Sequence, residues 1–406
     1  MIKSPAALTT SKLQLGTPAY KRTARAMFIG GFTTFSMLYC VQPLLPVFSH
    51  EFHLSPAMAS GAVSAATASM ALMLIPASIL ADRFGRRPVM NASLALSSLF
   101  LLLSSLSTAF WQLLLLRALL GISLSGLPAV AMAYLGEEIE ARSLGRSLGL
   151  YIAGNALGGM CGRLFAAILS DWLSWRFSLG LLGAMGALAA FEFWRCLPPS
   201  QHFTPHRTSL SLLVKSTRTL FADAGLPWLF ICGFLLMGGF VSLYNVLGYR
   251  LEGAPFHLRP SQEGLIFTLY LVGTIGSTWA GKLSDRIGRR NVLWIMVTTM
   301  ATGLLLTLSV MLPLMVFGIA IFTFGFFGGH AVASSWIGLR SGNDKALASA
   351  LYLGFYYLGS SVLGAASGWM WSAALWPGLV ALLMAVLLMC MGIALFLRRL
   401  TPLAQV

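Results

Sequence analysis

The chain reads as an all-α membrane protein with twelve transmembrane helices in two pseudo-symmetric six-helix bundles. Three observations predict this. Of the 406 residues, 57% are hydrophobic and only 10% charged, with mean hydropathy +0.80; a soluble domain keeps roughly a quarter of its residues charged. The apolar residues lie in long runs: Ala26 to Phe48 and Asn291 to Met311 contain no charged side chain, and each can cross roughly 30 Å of hydrocarbon as a helix. A six-residue polar segment also recurs at half the chain length.

The runs define spans near Ala26–Phe48, Ala57–Ala81, Pro88–Ser107, Phe110–Leu135, Ser147–Leu169 and Phe177–Leu197, then Leu226–Leu247, Gly264–Gly281, Asn291–Met311, Pro313–Gly338, Leu347–Trp369 and Trp376–Leu397. The longest polar stretch between spans runs from Pro198 to Gly225. The expected organisation is therefore a tail (1–25), a first bundle (26–197), a linker (198–225), a second bundle (226–397) and a short tail (398–406).

The net charge of +15 is of a size that can signal a nucleic-acid partner. Its placement argues against one. With the N-terminus taken as cytoplasmic, 22 of the 27 basic residues fall in inside segments, and only Arg176, Arg250 and Arg259 fall in outside loops. This is the positive-inside pattern, so the charge is topogenic and both termini are expected in the cytoplasm of a bacterial inner membrane. The lipid bilayer is the expected partner.

The start of the chain does not read as a secretory signal, because its first span is too long for a signal core. Five cysteines (Cys40, Cys161, Cys196, Cys232, Cys390) are scattered without CxxC spacing and read as small apolar residues, not as a metal site. No P-loop spacing occurs, so direct ATP drive is not expected. No cofactor is expected.

The halves echo each other. Asp82-Arg83-Phe84-Gly85-Arg86-Arg87 returns as Asp285-Arg286-Ile287-Gly288-Arg289-Arg290, each copy in the inside loop after the second helix of its half. Weaker matches pair Gly136 with Gly338, Tyr151 with Tyr352 and Gly158 with Gly359. Repeats at this distance characterise duplicated transporter bundles with a site between them. Small residues every fourth position mark helix two (Ser60, Ser64, Ala68), helix five (Gly154, Gly158, Gly162), helix eight (Gly273, Ser277, Gly281) and helix eleven (Ser360, Gly364, Gly368). Such stripes permit close helix approach. Their equivalent positions predict sliding contacts between the halves.

Gly281-Lys282-Leu283-Ser284-Asp285-Arg286-Ile287-Gly288-Arg289-Arg290 resembles the signature loop of the major facilitator superfamily, G-x-L-x-D-R-x-G-R-R, and the first copy matches except for Ser78 at its leading glycine. Within the superfamily the chain resembles the drug and metabolite exporters, most closely the YnfM-like permeases. The segments that carry this likeness are Leu38 to Pro46, Gly154 to Arg163, Gly325 to Trp336 and Leu351 to Gly359. The helix-five segment lacks the proline of the drug-antiporter motif.

Gly85 and Gly288 permit the tight turn, and the arginines suit anionic headgroups. Asp82 and Asp285 end helices where a carboxylate gains nothing from its own dipole, so each needs an outside partner. The resemblance implies that Asp82 meets the start of helix eleven, near Asn343 to Ser349, and Arg142 or Arg146. By symmetry Asp285 would meet the start of helix five. Such contacts would form a conformational latch when the inside is closed. Solvated topogenic charges would account for Arg83, Arg86, Arg87, Arg286, Arg289 and Arg290 without a latch, but not for the paired aspartates.

Arg117 and Arg163 lie within helices four and five, where an arginine costs about 2.5–3.5 kcal/mol on insertion scales and is usually functional or internally paired. Arg117-Ala118-Leu119-Leu120-Gly121 resembles a family motif, R-x-x-x-G, whose arginine is linked to proton coupling. No acidic residue lies mid-span; Glu51, Glu192 and Glu263 sit near interfaces. The arginines are then either held by carbonyls and polar groups such as Gln42 and Asn155, or form a positive site for an anionic substrate or a titrating group. His330 suits proton exchange or plain packing. Tyr39, Tyr244, Asn245, Tyr270 and Tyr356 are cavity candidates for an amphipathic solute or packing residues.

The function expected is proton-coupled export of a small organic solute by a monomer working through alternating access. A uniporter or an importer of a sugar, organic acid or other metabolite is the alternative. A membrane enzyme needs a catalytic cluster that six scattered histidines do not offer. A non-transporting scaffold does not need two intact signature loops.

Overall fold

The computed structural model describes residues 12–203, 210–342 and 344–400; Lys3, Arg207, Asn343 and the tail from 401 lie outside them. Ten described stretches are long and apolar enough to cross a membrane. They are α1 (Pro18–Glu51), α2 (Pro56–Phe84), α3 (Arg86–Ser104), α4 (Phe110–Glu138), α5 (Ala141–Trp172), α6 (Trp175–Cys196), α7 (Leu226–Glu252), α8 (Pro260–Ile287), α10 (Leu312–Arg340) and Lys345–Arg399. The last has 55 residues, about 80 Å as one helix, far more than one crossing needs. It breaks at Ala374 and Leu375, where φ is −144° and +54°, and so forms two spans, α11 (345–373) and α12 (376–399). A shorter apolar helix, α9 (Arg289–Leu306), packs against α10.

Helix ends follow local chemistry. α1 begins at Pro18, not Ala26, because Thr17 caps it: its hydroxyl accepts from the Tyr20 amide at 3.2 Å, and proline suits the first helical position. The linker carries a helix of its own, Leu210–Ala222. Gly85 and Gly288 take φ of +100° and +85° in the two signature turns, a region that side-chain-bearing residues avoid.

Two spans are interrupted by proline. A proline removes one donor and collides with the carbonyl four residues earlier. In α1 the regular helix stops at Tyr39, four before Pro43, and resumes at Leu45 after a 3₁₀ turn. In α4 it stops at Leu124, four before Pro128. α8 has a 3₁₀ stretch at Leu265–Leu269.

The internal repeat is visible in the packing. A Cβ on Gly158 of α5 would lie 2.0 Å from the Phe32 carbonyl oxygen of α1, and one on Gly359 of α11 would lie 2.0 Å from that of Phe234 in α7. The same contact thus occurs once in each half. Gly154 and Gly162 also press on α1, and Gly273 of α8 meets the Phe327 ring of α10. This corrects one expectation: the stripe of α5, and Gly273 of the α8 stripe, serve packing inside their own bundle. The stripes of α2 and α11 do join the halves. A Cβ on Gly368 would meet Ala57 at 2.7 Å, and Ser64 and Ser361 exchange hydrogen bonds.

The loops that carry most of the arginines define one face of the bundle, here the basic face. Among the described residues, the hydrogen bonds between halves lie from mid-span toward the opposite face. Ser49 bonds Tyr249 at 2.6 Å, and the Ser261 hydroxyl donates to Asp171 at 2.5 Å. Toward the basic face, a Cβ at Gly145, Gly149 or Gly281 would meet nothing within 4 Å. The halves are closed on the opposite face and parted on the basic face.

Candidate functional site

The α1 break turns polar groups into the middle of the bundle. Gln42, in the 3₁₀ turn, accepts from Arg163 Nε at 2.6 Å and donates to Asn245 Oδ1 at 2.7 Å and to the Val241 carbonyl at 3.3 Å. Gln42 therefore links α5 to α7 across the two halves. The Arg163 guanidinium also donates from Nη1 to the Gly159 carbonyl at 2.6 Å, and it lies 4.4 Å from the Tyr39 ring, 5.0 Å from Tyr270 and 5.6 Å from Phe267. Each such ring contributes about 0.5–2 kcal/mol, which offsets part of the burial cost of the charge. No described carboxylate pairs with Arg163.

Arg117 is in a different situation. Its Nε donates to the Ala62 carbonyl at 2.9 Å, Nη1 to that of Met37 at 2.9 Å and Nη2 to that of Leu38. Met37 and Leu38 lie in the last turn before the α1 break, where helix carbonyls lack partners. Arg117 caps the broken helix and ties α4 to α1 and α2. Of the two readings open for the arginines, geometry gives Arg117 the carbonyl-bound one.

An aromatic wall continues from Arg163 into the second half. Tyr244 bonds Thr323 at 2.8 Å and meets Tyr270 edge-on at 5.5 Å. Phe240 stacks on Phe326 at 3.8 Å, and the Tyr356 ring lies 4.8 Å from His330. His330 Nδ1 pairs with the Tyr352 hydroxyl at 2.9 Å. The Tyr270 hydroxyl and the Asn245 amide nitrogen are buried without partners. Tyr39, Gln42, Arg163, Tyr244, Asn245 and Tyr270 are thus gathered around one centre, with Tyr356 and His330 at its α10–α11 edge. Asn155 is apart from them: it packs beside Gly31 of α1, two turns along α5 from Arg163.

At the basic face the two signature turns differ. Arg86 pairs with Asp82 at 2.5 Å and with Glu137 at 2.9 Å, and its side chain is only 7% exposed. Arg87 donates to the Trp194 carbonyl at 3.0 Å, tying the turn to α6. In the second half Asp285 is 74% exposed and 3.9 Å from Arg289, whose Nε reaches the Ser335 hydroxyl at 3.1 Å. Arg142, Arg146 and Arg286 are exposed, and Arg290 is half-buried. Asp82 pairs with Arg86 of its own turn, while the implied partners Arg142 and Arg146 are exposed. Asn343, at the implied meeting point on helix eleven, lies outside the described residues.

Four charged groups, Glu137, Glu138, Asp223 and Arg340, were missed in the sequence, and Glu263 was placed only near an interface. Glu137 completes the Arg86 network. Its neighbour Glu138 accepts from the amides of Gln201 and His202 at 2.8 and 3.0 Å, anchoring the start of the linker. Arg340, at the equivalent end of α10, pairs with Asp223 and anchors the far end of the linker. Burial opposes ionisation of Asp223, but Arg340 and the amides of Gly225 and Leu226 outweigh it and hold the carboxyl below its usual range. Adjacent acids facing an arginine-rich loop were the available signal for the first two. Glu263, at the opposite-face end of α8, is fully buried with neither oxygen bonded; it faces Gly248 and the carboxyl of Glu252.

Known proteins resemble this chain along its length. A profile of the Major Facilitator Superfamily matches residues 27–254 and 229–405. The MFS-type transporter YybF of Bacillus subtilis (strain 168) is 42% identical over 387 residues, 95% of this chain and 96% of that one. The inner membrane transport protein YnfM of Escherichia coli (strain K12) is 43% identical, over 93% of this chain and 91% of its own. In fold the chain is similar to a bacterial homolog of the human lysosomal transporter Spinster, solved inward-facing and unoccupied. The TM-score is 0.73 at 18% identity, with 95% and 98% of the two chains covered.

Proposed function

Because the chain belongs to the major facilitator superfamily of membrane transporters, we propose that it is a proton-coupled exporter of a small organic solute. In this reading it acts as a monomer with both termini and the basic face in the cytoplasm, where the arginine-rich loops favour it. The two halves rock about the Arg163–Gln42–Asn245 centre, exposing it to one side of the membrane at a time. The conformation described here is the inward-open one.

The observation that carries the reading is the one-sided closure: hydrogen bonds and backbone contacts join the halves from mid-span to the opposite face, while the basic-face ends of α5 and α8 stand apart. A static bundle has no reason for this asymmetry. Support for proton drive comes from Glu263. Burying an ionised carboxylate without a partner is costly, and burying the neutral acid is much less so. Closure of the opposite face is thereby linked to a proton taken from that side.

Spin labels test the reading, in a background with the native cysteines replaced. One pair sits at Arg146 and Lys282 on the basic face, the other at Met58 and Trp369 on the opposite face, all exposed. Distances that change in opposite senses between pH 5 and pH 8 in nanodiscs support alternating access. Two fixed distances, or two that change together, reject it. Flux from proteoliposomes with and without an uncoupler then separates a proton-driven exporter from a uniporter or importer.

A further inference from the structure

Resting on the transporter reading, we infer that the central site takes an organic anion, its carboxylate at Arg163 and its apolar body along the aromatic wall. The first argument is charge. Arg163 is almost completely buried, yet no described acidic group neutralises it. Arg117, buried as deeply, needs no further partner, because all three of its nitrogens already face backbone carbonyls. Arg163 Nη2, in contrast, makes no hydrogen bond to a described residue.

The second argument is the kind of group left without a partner. The Tyr270 hydroxyl and the Asn245 amide nitrogen are both buried and unbonded. Tyr270 lies against the guanidinium, and Asn245 is joined to it through Gln42. All three can donate, and a buried donor without an acceptor is costly. A ligand rich in acceptors and carrying a negative charge satisfies them together, whereas a cationic ligand would meet a like charge.

The third argument is the lining. Phe35 and Tyr270 flank Gly159, whose carbonyl holds Arg163 Nη1. The wall beyond it, through Tyr270, Phe327 and Phe240, favours a flat apolar body over a small hydrophilic acid.

Occupancy would also act on the gate. Among the described residues, Gln42 Oε1 is the only side-chain acceptor for Arg163. A carboxylate is the stronger acceptor for a guanidinium, so a bound anion competes with Gln42, whose other end holds Asn245. Binding the anion therefore weakens a link that keeps the opposite face shut.

The test uses the purified full-length protein in nanodiscs, with benzoate, phenylacetate and cinnamate as probes, each beside its neutral primary amide. Calorimetric titration is expected to give acids bound at least ten-fold more tightly than their amides. Arg163→Gln should reduce each acid to the level of its amide, and Arg163→Lys should keep part of the preference. Tyr270→Phe should weaken the acids several-fold and leave the amides unchanged. This last variant carries the test alone if Arg163→Gln does not elute as the native protein does. Acids and amides bound equally, no acid bound, or a preference that survives Arg163→Gln overturns the inference. The spin-label pairs keep the two ideas apart. Distances that respond to a neutral solute but to no acid reject the anion and retain the transporter, and distances that respond to nothing reject both.

Discussion

Ser64 of α2 and Ser361 of α11 each donate a hydroxyl to the other's backbone carbonyl, both at 3.0 Å, across the boundary between the halves. The bonds are reciprocal and involve no charge, so they close the interface without fixing it permanently; a neutral bond of this kind contributes about 0.5–1.5 kcal/mol net. In the alternating-access reading, a few such contacts hold the opposite face shut while leaving the other state within thermal reach. Further out on the same two helices, Gly368 faces the Ala57 backbone with no room for a side chain.

Gly368→Val is expected to block closure of the opposite face. Its methyls would collide with the α2 backbone, which cannot rotate away as a side chain can. Overpacking of about 1–3 kcal/mol corresponds to a shift of the equilibrium of roughly 5- to 150-fold. The Met58–Trp369 label distance should lengthen, and transport should fall by a similar factor. A native distance in this variant would show that the contact does not limit closure.

Arg117→Ala is expected to damage the fold more than the coupling. The change removes three buried hydrogen bonds, including the one that satisfies the Leu38 carbonyl at the α1 break, at a cost on the order of 3 kcal/mol. Arg117→Lys should rescue little, since one ammonium cannot span acceptors on both α1 and α2 as the planar fork does. The check is the midpoint of thermal unfolding in detergent, with Arg259→Ala as control. A native melting curve with altered proton dependence of flux would return Arg117 to a coupling role.

These two residues show where sequence reading succeeds and stops. Span positions were legible because each apolar run must match the hydrocarbon thickness, and the repeat was legible because both signature turns kept their residues. The breaks at Tyr39 and Leu124 were available from Pro43 and Pro128, but a long apolar run masks a proline inside it. Arg117 and Arg163 could not be told apart by sequence. Both are single arginines in apolar helices, and only the arrangement of α1 around its break gives one of them carbonyls and the other tyrosines. The stripe of α5 misled for a related reason, since fourth-position spacing identifies a close neighbour but not which one.

Glu137→Gln and Asp285→Asn should differ sharply. Glu137 pairs with a nearly buried arginine, so its loss leaves Arg86 with Asp82 as its remaining ion-pair partner and should lower the melting midpoint. Asp285 is exposed, and exposed pairs contribute about 0–1 kcal/mol, so its loss should leave that midpoint unchanged. If Asp285 acts only when the basic face closes, Asp285→Asn should instead slow turnover. Equal effects on both midpoints would argue against unequal latches.

Glu263→Gln is expected to make the opposite face harder to open. The amide keeps the volume of the buried carboxyl but cannot ionise, which removes the penalty of holding a charge there without a partner. The label distance between Met58 and Trp369 should stay at its closed value across pH, and proton-driven flux should drop. A pH response equal to that of the native protein would move the proton site elsewhere.

Asp223 supplies a pH dependence whose sign follows from its partners. Its carboxyl is held below the ordinary range by Arg340 and two amides, despite burial. A carboxyl lowered in the folded state binds fewer protons than in the unfolded chain, where it titrates near pH 3.9. Its contribution to stability is therefore fully present above about pH 4 and declines as pH falls through the lowered folded value. Asp223→Asn removes the contribution at every pH. It should lower the melting midpoint at pH 7, with native and variant curves converging toward pH 3. Curves that stay parallel down to pH 3 would mean that the anchor at the end of the linker does not rest on this ion pair.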